Sequence, residues 1–338
     1  MASGDFTNTH PALAGFWHPV AWADDVGGEP IAVELLGDGW VLARFGGVVS
    51  AFADACPHRR ARLSAGVMAD GALQCPYHGW RFAGDGRCVK IPALDATAPI
   101  PARAMLRQAA EVTERDGLVW LAVSSPRAPL PDLAPPRTAG GDGVATIRLP
   151  VVRVAANAAI MVDNFLDEAH FPFVHAATIG GAGPEPIPRA DVVRDGHSFT
   201  AVREHAFTNR TDQAVLDGTR PAVQRRRMTY RYVAPLTATL LLEYLDAASW
   251  QFLAFAATPE DEHYCRIYRT VTGPGLADQD QADKTAKYEM MIFEEDLELQ
   301  RRALSGLEFP LDISAELHTR ADRVSVEFRR VLAAAVGG

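Results

Sequence analysis

Over the first third of the chain, apolar residues come in short alternating blocks that are cut by glycine-rich pairs and triplets. Trp40 to Phe45 and Val48 to Ala53 flank Gly46-Gly47, a two-residue hairpin signal. Trp80 to Ala83 and Arg87 to Ile91 flank Gly84-Asp85-Gly86, and Glu111 to Glu114 and Leu118 to Val123 flank Asp116-Gly117. From Phe16 to Val123 the pattern predicts a small antiparallel β domain of about 110 residues. Pro126, Pro129, Pro131, Pro135 and Pro136 follow, then Gly140, Gly141 and Gly143, a composition that predicts a linker, stiff first and flexible after. The expected organisation is therefore a domain over 1–125, a linker over 126–144 and a second domain over 145–338.

In the second domain, Ala145 to Ala155 reads as a strand. Four β-type runs, Val223–Val233, Thr237–Leu245, Trp250–Thr258 and Tyr264–Thr272, are separated by Pro235, Asp246-Ala-Ala and Pro259-Glu-Asp-Glu, as in an antiparallel meander. A helix is predicted from about Gln281 to Ser305. Ile179 to Arg189, rich in Gly and Pro, reads as a loop that can cover a site. The fold class is α+β.

Composition narrows the function classes. The formal charge of −9 argues against nucleic acid or an anionic membrane as the main partner. Met1 to Pro11 is polar, so no signal peptide is expected, and no run approaches the roughly 18 apolar residues of a membrane helix. Four cysteines in 338 residues are too few for a disulfide framework, which places the chain in the cytoplasm.

Two segments carry candidate chemistry. In Asn164 to His175, the histidines His170 and His175 stand five apart with Pro172 between them. A regular helix would turn them roughly 140° from each other, so they converge only if the helix breaks, as proline would make it do. Asn164, Asp167 and His170 fall at i, i+3 and i+6, on one helical face. Metal ligation and ordinary core histidines both fit this stretch. The second segment pairs Cys56-Pro-His58 with Cys75-Pro-Tyr-His78, sixteen residues on. Two Cys and two His suit tetrahedral zinc. The Cys-x-His spacing, the prolines and the hairpin-tip setting suit a Rieske cluster better, with two thiolates on one iron and two imidazoles on the other.

Cys56-Pro-His58-Arg59, Cys75-Pro-Tyr-His78-Gly79-Trp80 and Asn164-x-x-Asp167-x-x-His170-x4-His175 together resemble the Rieske-type non-heme iron oxygenases. The likeness runs from Phe16-Trp17-His18-Pro19 to the helix around Asp296, and is nearest in size and spacing to the short vanillate demethylase and dicamba monooxygenase type. It implies an N-terminal antiparallel β Rieske [2Fe-2S] domain followed by a helix-grip (START-like) catalytic domain with mononuclear Fe(II). It makes His170 and His175 iron ligands and takes the third, a carboxylate, from a late helix. That helix offers Glu289, Glu294, Glu295, Asp296 and Glu298. Periodicity favours Asp296, because Ile292, Phe293, Leu299 and Ala303 lie within about 60° of it, while Glu294 and Glu298 share a solvated face with Arg301 and Arg302. Gln300, one turn on, is a candidate hydrogen-bond partner behind the ligands, as is Asn164. Asp163 is the rival carboxylate. The resemblance also gives Asp167 a role, bridging His170 of its own chain to His78 of the next in a head-to-tail homotrimer.

The implied reaction uses O₂ and two electrons. No Gly-x-Gly-x-x-Gly follows a strand and there is no P-loop, so NAD(P)H is expected to act only through a separate ferredoxin or flavin-containing reductase. Residues 56–92 carry Arg59, Arg60, Arg62, Arg81, Arg87 and Lys90 against Asp70 and Asp85, a basic patch suited to an acidic partner. Cys88 and Cys265 read as small buried hydrophobes. The substrate pocket is expected between the meander, through Tyr230, Trp250, Phe252 and Tyr268, and the helices, through Asn157, Met161, Phe171, Met290 and Phe293. Such a lining suits a hydrophobic or aromatic substrate. The reading is monooxygenation, by hydroxylation or oxidative O- or N-demethylation. The alternatives are a cis-dihydroxylating dioxygenase and, from a different class, an electron-transfer Rieske protein fused to a ligand-binding module.

Overall fold

Gly46 and Gly47 take φ of 56° and 92°, and Asp116 and Gly117 take 53° and 75°. Positive values at both central positions are what a two-residue turn between right-twisted strands requires, and both hairpins form where the glycines predict them. The computed structural model describes residues 5–95, 97–136, 141–180, 186–208, 213–247 and 249–337. Parts of the predicted linker (137–140) and of the Gly/Pro loop (181–185) lie outside the described residues. The chain divides into two units, Thr9–Leu130 with Thr258–Glu262, and Met1–Asn8 with Pro131–Ala257 and His263–Gly338.

The first unit contains β1 (His18–Trp22), β2 (Ile31–Leu35), β3 (Asp38–Phe45), β4 (Val48–Ala53), β5 (Val67–Ala69), β6 (Ala72–Gln74), β7 (Arg81–Phe82), β8 (Cys88–Lys90), β9 (Glu111–Arg115) and β10 (Leu118–Ala122). They form antiparallel sheets in the orders β2-β3-β4, β5-β6-β7-β8 and β1-β10-β9. Strand β3 is apolar on both faces because it serves two cores. Trp40 and Leu42 pack with Val20, Leu35 and Leu121, whereas Val41 packs with Phe52, Leu73, Phe82 and the buried Cys56 and Cys75. The two cysteines of the metal motif are thus anchored in a hydrophobic core.

The second unit contains β11 (Ala145–Arg148), β12 (Val152–Val154), β13 (Asp191–Asp195), β14 (Ser198–Thr208), β15 (Val223–Val233), β16 (Thr237–Tyr244), β17 (Ser249–Pro259) and β18 (Cys265–Gly273). Its helices are α1 (Ala158–Leu166), α2 (Phe171–Val174), α3 (Gln213–Leu216), α4 (Gln279–Leu299) and α5 (Arg323–Val336). The sheet order is β11-β18-β17-β16-β15-β14-β13, with β12 also on β18. The predicted meander is present as β15 to β18. The strand expected over Ala145 to Ala155 is two, β11 and β12, interrupted around Pro150, which has no N–H to give the ladder. β13 and β14 extend the sheet beyond the predicted runs, and β14 pairs with β15 from Ser198↔Val233 to Thr208↔Val223.

Helix α4 reaches Leu299, then widens into a π-turn over Gln300–Leu304, close to the predicted end. No helix among the described residues is long and apolar enough to cross a membrane. Cys88 and Cys265 are buried free thiols, as expected.

Candidate active site

Asn157 caps α1: its side chain accepts from Ala159 N at 2.9 Å and donates to Phe6 O at 2.5 Å. The helix ends at Leu166, where Asp167 turns extended (φ −90°, ψ 144°). Its carboxylate then organises the next turn. Oδ1 accepts from Ala169 N at 3.1 Å, and Oδ2 accepts from His170 N at 3.1 Å and from His170 Nδ1 at 2.9 Å. The break therefore precedes both histidines. The expectation of a helix broken at Pro172, with Asn164, Asp167 and His170 on one of its faces, is corrected. Pro172 sits in the first turn of α2, where a missing N–H costs nothing. His175 closes that turn through its N to Phe171 O at 2.9 Å. Gly180 N then donates to His175 O at 2.7 Å, and a Cβ there would stand 2.6 Å from Phe171 O, so the chain returns this closely only as glycine.

Helix α4 brings Asp296 to the two imidazoles. His170 Nε2 and His175 Nε2 are 3.1 Å apart, and Asp296 Oδ1 lies 3.5 Å from the first and 3.1 Å from the second. Each Nδ1 faces a carboxylate: His170 faces Asp167, and His175 donates to Glu295 Oε2 at 2.8 Å. A carboxylate can only accept, so each Nδ1 carries a proton, and Nε2 is the nitrogen each ring has left to offer a metal. Two lone pairs and a carboxylate oxygen pointing at one another repel unless a cation joins them. Three ligands about 2.1 Å from one ion and at right angles stand about 3.0 Å apart. Asp296 Oδ1 is buried without a hydrogen-bond partner, as such a ligand would be. The residues therefore fit a facial-triad metal, and among the described residues this is the one group of three ligand atoms within 4.8 Å of one another.

Electrostatics agree. Burial pushes Asp296 up, but the neighbouring imidazoles of His170 and His175 outweigh it and hold it below the carboxylate range. Burial pushes His170 down, but Asp167 and Asp296 raise it to about 9. The rival carboxylates lie elsewhere. Glu294 and Glu298 pair with Arg301 in solvent, and Asp163 pairs with Arg329 at 2.8 Å and Ser325 at 2.5 Å. Gln300 is buried, with its amide on Leu304 O at 3.2 Å. Glu295, considered only as a rival ligand, holds His175 and is itself held by Thr178 Oγ1 at 2.6 Å. The signal available in the sequence was that His175 Nδ1 needed an acceptor.

The Cys/His loops are near-copies. Cys56 N donates to Ala61 O and Arg60 N to Cys56 O; Cys75 N donates to Trp80 O and Gly79 N to Cys75 O. Arg60 (φ 60°) and Gly79 (φ 67°) occupy the same left-handed position. Cys56 and Cys75 are buried, while His58 and His78 are exposed with ring centroids 4.5 Å apart. His58 stacks on Trp80 at 4.7 Å. Burial pushes the Cys56 thiol up to about 11, so a thiolate there calls for a bound cation. One tetrahedral zinc would draw all four ligand atoms to about 3.5 Å of each other. They do not form such a knot, whereas inner thiols and outer imidazoles suit a two-iron cluster.

A cavity of about 150 Å³ opens beside the triad, the size that takes a single aromatic ring. Phe171, Tyr230 and Phe293 line it as expected, together with Asn164, His170, His175 and Asp296. The other pocket expectations are corrected. Gln251, Leu253 and Phe255 face the cavity, so Trp250 and Phe252 alternate to the opposite side of β17. Tyr268 is not among the residues that β18 gives to the lining, which are Arg269, Thr270 and Val271. Met161 is buried in the core, Met290 packs its sulfur 2.9 Å from Arg269 Nη2, and Asn157 caps α1.

Glu289 lines the cavity instead, and burial pushes its carboxyl from 4.5 up to about 7 against the pull of Arg269. The folded chain thus binds the extra proton between those values, and stability falls as pH rises from 4.5 through about 7. The loss is on the order of 3 kcal/mol. Urea unfolding of Glu289→Gln should show a variant that gains on the wild-type chain across this window and gains nothing further above pH 8.

Residues 16–104 match the family described as Rieske [2Fe-2S] domain, and residues 154–337 match the vanillate O-demethylase oxygenase C-terminal domain. Protein TIC 55 of Arabidopsis thaliana is 36% identical over 169 residues, 48% of this chain, and the chain spans only 30% of that relative's length. Methylxanthine N1-demethylase NdmA of Pseudomonas putida is 27% identical over 337 residues, covering 95% of this chain and 88% of that one. The solved structure of Pseudomonas putida CBB5 NdmB superposes with a TM-score of 0.81 at 24% identity, over 99% of this chain and 93% of that one.

Proposed function

This chain belongs to the family of the vanillate O-demethylase oxygenase C-terminal domain, and on that premise we propose that it is the terminal oxygenase of a Rieske non-heme iron system. It is an oxidoreductase that places one atom of O₂ in a hydrophobic or aromatic substrate and releases the other as water, consuming two electrons and two protons. The outcome is hydroxylation, or demethylation when the carbon attacked is an O- or N-methyl group. The observation that carries this reading is the convergence of two Nε2 atoms and the orphaned Asp296 Oδ1 beside a ring-sized cavity.

His170, His175 and Asp296 would hold the iron, and Cys56, His58, Cys75 and His78 the [2Fe-2S] cluster. When bound, the iron supplies the site of O₂ activation and the cluster supplies electrons one at a time. The chain's own part is positioning. Asp167 fixes the His170 tautomer, and Glu295 with Thr178 fixes that of His175. The apolar wall of Tyr230, Leu240, Leu253 and Phe293 orients the substrate and excludes water. Asp167 is 30% exposed at its side chain, which leaves an edge for an imidazole from a neighbouring copy. On this reading the assembly is a homotrimer in which Asp167 joins one chain's cluster to the next chain's iron.

Electrons come from a separate ferredoxin or flavin-containing reductase. Arg81 pairs with Asp70 and Arg87 with Asp85, so both acids of the patch are spent and Arg59, Arg60, Arg62 and Lys90 are left to meet an acidic partner. The location that suits four cysteines without a disulfide among them is the cytoplasm.

Iron and sulfide counting tests the reading. Three irons per two sulfides per chain are expected; two per two would leave only an electron carrier. Glu295→Gln should then weaken iron retention about ten-fold, read as iron left after dialysis against a chelator, with the cluster spectrum unchanged. Wild-type retention would remove Glu295 from the design.

A further inference from the structure

We propose that Arg269 sets the substrate specificity of this cavity, taking the carbonyl oxygen of a neutral, planar aromatic or heteroaromatic substrate, a carboxamide or ring lactam, and turning away ring carboxylates. The inference rests on the cavity being the substrate site.

Arg269 stands on β18 and is 8% exposed. A guanidinium carries five N–H donors in a rigid fork. Here they find little. Nη1 reaches only the Glu289 backbone oxygen, at 3.4 Å, Nη2 meets the Met290 sulfur at 2.9 Å, and Nε has no hydrogen-bond partner. No carboxylate among the described residues forms an ion pair with it. Its carbon lies 3.7 Å from the centroid of the Phe293 ring, so the plane is held in place. Desolvating a cation without pairing it is costly, and donors left unused in a cavity wall cost more. Burial lowers its pKa to about 10, in keeping with an uncompensated charge. An oxygen acceptor entering the cavity would use these donors.

The charges around Arg269 decide which acceptor. The carboxyl groups of Asp296 and Glu289 both act on it through space, without an ion pair. On α4 they are seven residues apart, about 10 Å along the axis, with Phe293 between. A substrate carboxylate would bring a negative group beside Glu289, whose own carboxyl burial already disfavours as an anion. A carbonyl oxygen takes the same hydrogen bonds and adds no charge. Gln251 steadies the Glu289 end, its Nε2 3.4 Å from Oε1. The carbonyl would then sit on the sheet side of the cavity, and the methyl or ring carbon to be oxidised would point to the His170 end.

Calorimetric titration tests this without turnover, on protein whose iron and sulfide have been counted. The probes are 4-methoxybenzamide, 4-methoxybenzoate and 4-methylanisole. The amide is expected to bind at least about ten-fold more tightly than the benzoate. Arg269→Met should cost the amide about ten-fold or more and leave 4-methylanisole within about two-fold. Arg269→Lys, which keeps the charge and loses the fork, should also weaken the amide, and covers the case in which the methionine variant fails to fold. Glu289→Gln should narrow the gap between amide and benzoate, a change that mere packing would not produce. Amide binding unchanged in both Arg269 variants, a benzoate preferred by the wild-type chain, or no binding of the amide would each overturn the proposal. An iron count of two per two sulfides would instead sink the oxygenase reading and leave the binding result standing.

Discussion

Asp296→Asn is expected to empty the mononuclear site and abolish oxygenation, while the cluster remains. The substitution keeps size and shape, so the fold should hold. It removes the one negative charge among the three converging ligands, whose oxygen has no other partner. It also leaves the imidazoles 3.1 Å apart with nothing anionic to balance the ion. Losing a carboxylate that touches the metal should exceed the 10- to 100-fold cost of losing a residue behind it, so iron affinity should fall by more than about 100-fold. Metal analysis should give two irons per two sulfides, with the visible spectrum of the cluster unchanged. A variant that kept three irons would show that Asp296 is not a ligand, and Glu289 would not replace it, since it lies two turns away beside Gln251.

That prediction could be written from the sequence because Asp296 stood on the apolar arc of a long periodic helix, with Glu289, on the same face, two turns away. Periodicity worked equally well for the meander, where β15 begins and ends on the predicted residues. It failed where a period of two carries no sign. Trp250 and Phe252 look like pocket residues because they are aromatic, yet β17 presents Gln251, Leu253 and Phe255 to the cavity. Nothing within one strand says which of its two faces meets the helices. β14 was invisible for a related reason, since Arg203, Glu204 and His205 interrupt its apolar alternation. The helix break was placed at Pro172 because proline is a local signal. Asp167 breaks the helix instead, through two backbone N–H groups three-dimensionally close to its carboxylate. Arg269 escaped notice, and Glu289 was weighed only as a rival ligand, because a buried charge has no signature until its surroundings are known.

Asp167→Asn should separate the two metal centres electrically without dismantling either. The side chain has four duties. It accepts from Ala169 N, from His170 N and from His170 Nδ1, and its exposed edge is open to a further donor. An asparagine oxygen can keep the bond to His170 Nδ1, so the tautomer and the iron should persist. Its other terminus is an NH₂, which donates and so repels a second imidazole N–H. An amide in that orientation gives up the bond from Ala169 N, a local turn contact, and cannot perform the proposed bridge between chains. Turnover should fall by on the order of 100-fold, with three irons per two sulfides and unchanged elution on gel filtration. In a single-turnover experiment the pre-reduced cluster should stay reduced when O₂ and substrate are added. A purely structural role for Asp167 predicts the opposite pattern, with iron lost and the surviving holoprotein reoxidising at the normal rate. Activity near that of the wild-type chain would mean that electrons reach His170 by another route.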